Sequence, residues 1–309
     1  MDPVMAIAGF GVGIVVGMTG MGGGALMTPL LVLFFGVPPL AAVSSDLAAS
    51  AVMKPFGGWV HARRGTVNWS LVRWLCLGSV PSAFLGVLLL RVIPNDEGVE
   101  RAIQMALGAA LILAAVGLVA KAYASRRAGR DRAAGSAPAP IRVRPVPTAL
   151  LGAAGGLVVG LTSVGSGSLI IVILLALYPA LRPNDLVGTD LVQAVPLVTA
   201  AALGHLFFGD LQFPVAGAIL VGSIPGVLLG ARLSSRAPAG IVRAALVVVL
   251  LASALKLFGL PGVVVLAAVA AAVAGAVTAL VVAKRADTLR VPELEPLPVR
   301  STVDSQVGG

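Results

Sequence analysis

Nine apolar segments separated by short polar turns take up most of this chain, and they constrain its fold more tightly than anything else in it. They cover roughly 4–36, 40–60, 69–93, 99–121, 147–178, 184–207, 214–232, 240–258 and 261–283. A helix crosses the hydrocarbon core of a bilayer with about 20 apolar residues. Nine spans would need roughly 180 residues, which fits within 309. Only 11% of residues are charged and mean hydropathy is +1.01, against roughly 25% charged in soluble domains. Too little charge is present to clothe a surface in water. Ala, Leu and Val dominate and no strand-like alternation is visible, so the chain is expected to be an all-α integral membrane protein rather than a barrel.

The chain also repeats itself. Gly13-Ile14-Val15-Val16-Gly17-Met18-Thr19 returns as Gly156-Leu157-Val158-Val159-Gly160-Leu161-Thr162. Ser45-Asp46-Leu47 returns as Thr189-Asp190-Leu191, and His61 with Gly65 as His205 with Gly209. Gly78-Ser79-Val80-Pro81 returns as Gly222-Ser223-Ile224-Pro225, and Gly86 as Gly230. The offset stays at 143–144 residues throughout, a register that a shared bias toward small residues does not keep. The expected organisation is membrane repeat 1 over 1–121, a flexible basic cytoplasmic linker over 122–146 and membrane repeat 2 over 147–258. An extra transmembrane helix over 259–283 and a disordered cytoplasmic tail over 284–309 would follow.

Charge orients the repeats. The net charge is +9, but the basic residues sit in connecting loops and are not interleaved with aromatics. They read as a topology signal rather than a nucleic-acid surface. Placing the linker, with Arg126, Arg127, Arg130 and Arg132, inside puts Asp96, Glu97 and Glu100 outside and Arg63 and Arg64 inside. If segment 147–178 enters and returns, the Arg232/Arg236 turn and the Lys284/Arg285 tail also fall inside. That segment is about 32 residues long with Thr162-Ser163-Val164-Gly165-Ser166-Gly167-Ser168 at its middle. Segment 4–36 has the same build around Thr19-Gly20-Met21-Gly22-Gly23-Gly24. Each arm would give roughly 20–24 Å of helix, short of the ~30 Å core. The expectation is two broken or re-entrant helix pairs, each followed by three spans, in inverted halves with one further helix. Nine ordinary spans in parallel halves are the rival. Met1-Asp2-Pro3 lacks a basic leader, so the first segment is expected to be a span rather than a cleaved signal.

The glycine runs are the first candidate site. Glycine costs about 1 kcal/mol in a helix interior, so three together argue for unwound backbone, which is tolerated at membrane depth only under protein or water. A following half-helix then offers free N–H groups and the positive end of its dipole to an anion. The expected substrate-binding residues are Thr19, Gly20, Gly22, Gly23, Gly24, Thr162, Ser163, Gly165, Ser166, Gly167 and Ser168. The alternative is close helix packing through small residues.

The charged residues inside apolar segments are the second. An aspartate at a helix centre costs ~2.5–3.5 kcal/mol on insertion scales, and Asp46 and Asp190 stand at equivalent positions. Each could carry a proton, orient a glycine loop or coordinate a cation. Lys54, eight residues beyond Asp46, breaks the symmetry, since its counterpart is Val198. It could attract an anion or snorkel to the interface. His61 and His205 could carry protons or cap their helices. These five form the expected coupling or gating set. The single cysteine, Cys76, excludes an intramolecular disulfide or a dithiol relay. No phosphate loop, zinc motif or nucleophile elbow is present, so no enzyme activity, metal site or cofactor is expected.

Together these residues resemble the sulfite exporter TauE/SafE family of membrane permeases. The likeness is carried by Gly17-x-x-Gly20-x-Gly22-Gly23-Gly24 with Pro29, by Ser44-Ser45-Asp46-Leu47, and by His61-x-Arg63-x-Gly65-x-Val67-x-Trp69. Gly78-x-x-Pro81-x-x-x-x-Gly86 and its copy through Gly222, Pro225 and Gly230 complete it, over about residues 5–258. The resemblance implies transport of a small sulfur-containing anion, such as sulfite or an organosulfonate, across the bacterial inner membrane. The expected protein is a secondary exporter working with the lipid bilayer and a small anionic substrate, by one repeat rocking against the other. A coupling ion, H+ or Na+, and a homo-oligomer are compatible with it; nucleic acid is not a partner. A cation or metal transporter built on the paired aspartates, or a non-transporting membrane assembly module, are the alternatives.

Overall fold

The computed structural model describes residues 2–19, 23–63, 65–90, 92–93, 96–133, 142–165, 183–233 and 239–288, with scattered positions between 167 and 181. Every regular element among them is a helix. In chain order these are α1 (Pro3–Thr19), α2 (Gly24–Phe34), α3 (Pro39–Arg63), α4 (Trp69–Leu90) and α5 (Asp96–Ala133). The second set is α6 (Pro145–Thr162), α7 (Pro183–Phe208), α8 (Phe213–Leu233), α9 (Ala239–Leu257) and α10 (Gly262–Thr288). Among the described residues, five apolar stretches are long enough to cross a bilayer: Trp69–Leu90, Glu97–Ala120, Pro145–Thr162, Asp185–Phe208 and Phe213–Gly230.

Helix starts follow local chemistry. Proline opens α1, α3, α6 and α7, where its missing N–H is no loss and its fixed φ suits the first turn. Asp2 Oδ1 accepts the Val4 N–H at 2.8 Å, an N-cap for α1. Two bounds differ from expectation. Helix α5 runs to Ala133, into the stretch read as a flexible linker, because the Ala- and Arg-rich sequence after Ala120 is itself a good helix former. Likewise α10 extends to Thr288, past the expected limit at 283. Residues 134–141 and 289–309 lie outside the described set.

The helices pack across the repeats. Helix α1 lies along α8, and α6 lies along α4. Small residues make the contacts, and they correspond one to one. A Cβ on Gly78 would run into the Ala149 carbonyl; a Cβ on Gly222, its counterpart, would run into that of Ala6, the counterpart of Ala149. Gly156 abuts Ser79 and Gly13 abuts Ser223 in the same relation. In both pairs the contacts advance together along the two chains, so the partners run parallel. Lipid tails are as apolar as leucine, so such helices associate through close backbone approach rather than by escaping water.

Helices α3 and α7, which are equivalent in the two repeats, pack on each other instead. Ser44, near the start of α3, meets His205, near the end of α7, at 2.8 Å. Gly58 sits beside Leu191 and Val195, and the Asn68 N–H just past α3 reaches Thr189 Oγ1 at 3.0 Å. These two helices therefore run antiparallel. Around them the core falls into three clusters. One gathers Leu47, Leu71, Leu75 and Leu197; a second joins α5 and α9 through Leu107, Leu111 and Leu250; a third holds Val12, Leu31, Ala49 and Ile219. The outward faces stay apolar, with Leu77, Leu150, Leu228 and Phe34 all exposed, as a lipid-facing surface requires.

Candidate functional site

Of the expected glycine runs, the described residues Gly23 and Gly165 lie just outside helices. Helix α1 ends at Thr19 and α2 begins at Gly24, with Gly23 in the turn. Helix α6 ends at Thr162, where Ser163 takes a left-handed conformation (φ 59°) and donates its N–H to Val159. Gly165 and Gly167 follow at φ 130° and 107°, backbone that a residue with a Cβ rarely adopts. A left-handed serine costs roughly 1–2 kcal/mol, so Ser163 must be held from outside its own turn.

Asp46 supplies that hold. Its Oδ2 accepts the Ser163 hydroxyl at 2.6 Å and the Thr28 hydroxyl at 3.0 Å, all three residues being buried. One carboxylate on α3 thus ties the end of α6 to α2. The start of α2 and the end of α6 meet there: Gly24 lies so close to Ser163 that a Cβ would overlap its carbonyl and stand 2.7 Å from its hydroxyl. Two buried hydrogen bonds at roughly 0.5–1.5 kcal/mol each are enough to offset the Ser163 conformation.

The other expected residues divide. The Thr162 hydroxyl is turned onto its own backbone, donating to Val158 at 2.6 Å and accepting the Val164 N–H at 3.1 Å. Gly20, Gly22, Ser166, Ser168 and the Thr19 side chain lie outside the described set. Asp190 is buried in α7, and Lys54 is half-buried on α3, eight residues beyond Asp46. His61 stays at the end of α3, with Nδ1 3.0 Å from Thr66 Oγ1. His205, its counterpart, is wholly buried. Its Nε2 donates to the Gly160 carbonyl at 2.8 Å and its Nδ1 meets Ser44 at 2.8 Å, joining α7 to α6 and α3.

Sequence reasoning missed Thr28, Ser79, Gln193 and Ser223. Gln193 Nε2 donates to Ser79 Oγ at 2.8 Å, both side chains fully buried. Gln193 stands three residues after Asp190, on the same helix face, and an amide at that place in an apolar span was a readable signal. Thr28 gave none, because its counterpart is Ile171. Among the described residues no three His, Cys, Asp or Glu side chains come together as a metal site would need.

Apolar helical spans closing on a buried carboxylate, its hydroxyl partners and helix ends suit a multi-pass membrane transporter. The family model described as Sulfite exporter TauE/SafE matches residues 5–257, and the chain belongs to that family. It is 37% identical over 258 residues to "Probable membrane transporter protein YjnA" of Bacillus subtilis (strain 168), covering 83% of this chain and 100% of that protein. "Probable membrane transporter protein YdhB" of the same organism is 24% identical over 238 residues, 77% of this chain and 92% of its own length. "Probable membrane transporter protein MJ0441" of Methanocaldococcus jannaschii is 26% identical over 247 residues, 76% and 86% of the two chains. No solved structure matches the chain.

Proposed function

We propose that this transporter is a secondary exporter of a small sulfur-containing anion, such as sulfite or an organosulfonate, bound between the two helix breaks. The observation that carries the reading is the contact of Gly24 with Ser163, which puts the start of α2 and the end of α6 side by side in the protein interior. The first N–H groups of α2 and the positive end of its dipole suit an anion. The left-handed Ser163 and the glycines after it give backbone free of side-chain bulk. Thr28 joins the expected residues through its bond to Asp46. In this reading Asp46 and Asp190 hold the breaks in place and couple an ion. The test is flux of 35S-sulfite in proteoliposomes with and without an imposed pH gradient. Saturable flux above protein-free vesicles is expected; its absence for sulfite, thiosulfate and simple sulfonates alike would sink the assignment.

We further propose that the two repeats are inverted in a bacterial inner membrane, with the C-terminus cytoplasmic. The antiparallel run of α3 and α7 supports this, because equivalent helices of parallel halves run the same way. A parallel α1–α8 pair and a parallel α4–α6 pair agree with it when α1 and α2 form a returning pair. The check is labelling with a membrane-impermeant thiol reagent in a Cys76→Ser background carrying Arg236→Cys. The inverted arrangement predicts labelling from the cytoplasmic side only; labelling from outside refutes it.

A further inference from the structure

Beside Asp46 lies a small cavity, with a free volume of about 10 Å³, room for one water-sized body. Its polar lining is Asp46, Ser50, Ser223 and the Gly23 backbone, between α1, α2, α3 and α8. The Ser223 hydroxyl, on a residue only 2% exposed, has no hydrogen-bond partner among the described residues. A buried polar atom in that condition marks a place where something is held.

The repeat shows what is different here. Ser79 is the counterpart of Ser223, and its oxygen accepts a hydrogen from Gln193. The counterpart of Gln193 is Ala49, which packs in the same cluster as Val12 and Ile219. One half therefore fills the position with a neutral amide whose N–H donates to the serine oxygen. The other half has only a methyl group there, and the space is left to an occupant of similar polarity. Asp46 is the carboxylate that faces the cavity. Both hydroxyls that reach it from the described residues end on Oδ2.

We propose that this cavity binds one monovalent cation, Na+, through the Asp46 carboxylate and the Ser50 and Ser223 hydroxyls. The oxygen-only ligand set, with a single carboxylate, suits a hard monovalent cation. The cavity is too small for a larger ion without displacing its walls. Because Asp46 also holds Ser163 and Thr28, occupation would be felt at both helix breaks. This deepens the transporter reading and rests on it for its purpose, since a co-bound cation neutralises an anion crossing the low-dielectric interior.

The test is direct 22Na+ binding to the purified full-length protein in detergent, with thermal unfolding in NaCl against choline chloride at fixed pH and ionic strength. Bound 22Na+ and a higher unfolding temperature in NaCl are expected. Ala49→Gln, which rebuilds the filled half, and Ser223→Ala should each lower Na+ affinity roughly tenfold or more. Ser223→Ala removes one oxygen and no packing volume, so it stays informative if Ala49→Gln does not fold. Equal unfolding in both salts with no bound 22Na+ overturns the proposal. So does a response to pH alone, which would put a proton on Asp46 instead, or a Na+ response unchanged in both variants. Na+ binding without sulfite flux would leave the site standing and remove the anion; sulfite flux with no bound 22Na+ would remove the site and leave the transporter reading standing.

Discussion

Asp46→Ala is expected to stop transport and to lower the stability of the folded protein by on the order of 3 kcal/mol. The carboxylate is the acceptor for two buried hydroxyls from two other helices. Its loss leaves the left-handed Ser163 without the bond that holds it. Asp46→Asn separates geometry from charge, because the amide oxygen still accepts from Ser163 and Thr28. That variant should unfold close to the parent. Its sulfite flux should nevertheless fall roughly a hundredfold, equivalent to ~2.7 kcal/mol of barrier, if the charge itself holds a coupling ion. Parental flux in Asp46→Asn would make Asp46 a structural tie and nothing more. Thermal unfolding and initial rates of 35S-sulfite flux, measured on the same preparations, decide between the two.

The second large effect belongs to the interfaces between the repeats. Gly78→Leu and Gly222→Leu should each cost more than about 3 kcal/mol and leave little monodisperse protein on size exclusion. At Gly78 an added Cβ would meet the Ala149 carbonyl and stand 2.7 Å from the Ala153 nitrogen. At Gly222 it would meet the Ala6 carbonyl and stand 2.8 Å from the Phe10 nitrogen. Backbone cannot rotate aside as a side chain can, so the helices would have to part along their length. Gly11→Leu, on α1 but with nothing within 4 Å of its Cβ position, is the control and should express as the parent does. Normal yield of Gly78→Leu would show that α4 and α6 do not pack this closely.

Much of this was legible before any coordinates. The apolar segments gave the helices because a bilayer admits little else, and the fixed offset gave the equivalence of Gly78 with Gly222 and of Asp46 with Asp190. An offset says which residues are alike, not which ones touch. It could not show that Gly78 meets Ala149, in the opposite repeat, rather than a neighbour in its own. Asp46 stood out through its insertion cost, but its partners did not. Thr28 has an apolar counterpart, and Ser163 was one of several small residues in a loop. His205 looked like a helix cap because it lies near the end of α7. Its partner in α6 is the carbonyl of Gly160, and a backbone carbonyl leaves no trace in sequence. Ser223, without a hydrogen-bond partner among the described residues, was equally silent, since the offset pairs Ala49 with Gln193 but does not show that Gln193 reaches Ser79.

The parallel glycine-lined pairs have a mechanical consequence. Helix α1 is fastened backbone to backbone to α8, and α6 to α4, so the tightest seams in the molecule join one repeat to the other. A stroke that swung residues 1–121 as a block against 147–258 would have to shear both seams at once. Rigid units that respected them would be composite, α1 with α8 and α4 with α6. Any moving block in this transporter would then cut across the duplication seen in the sequence, and the Asp46 tether would fasten α2 and α3 to the α6 end of one such block.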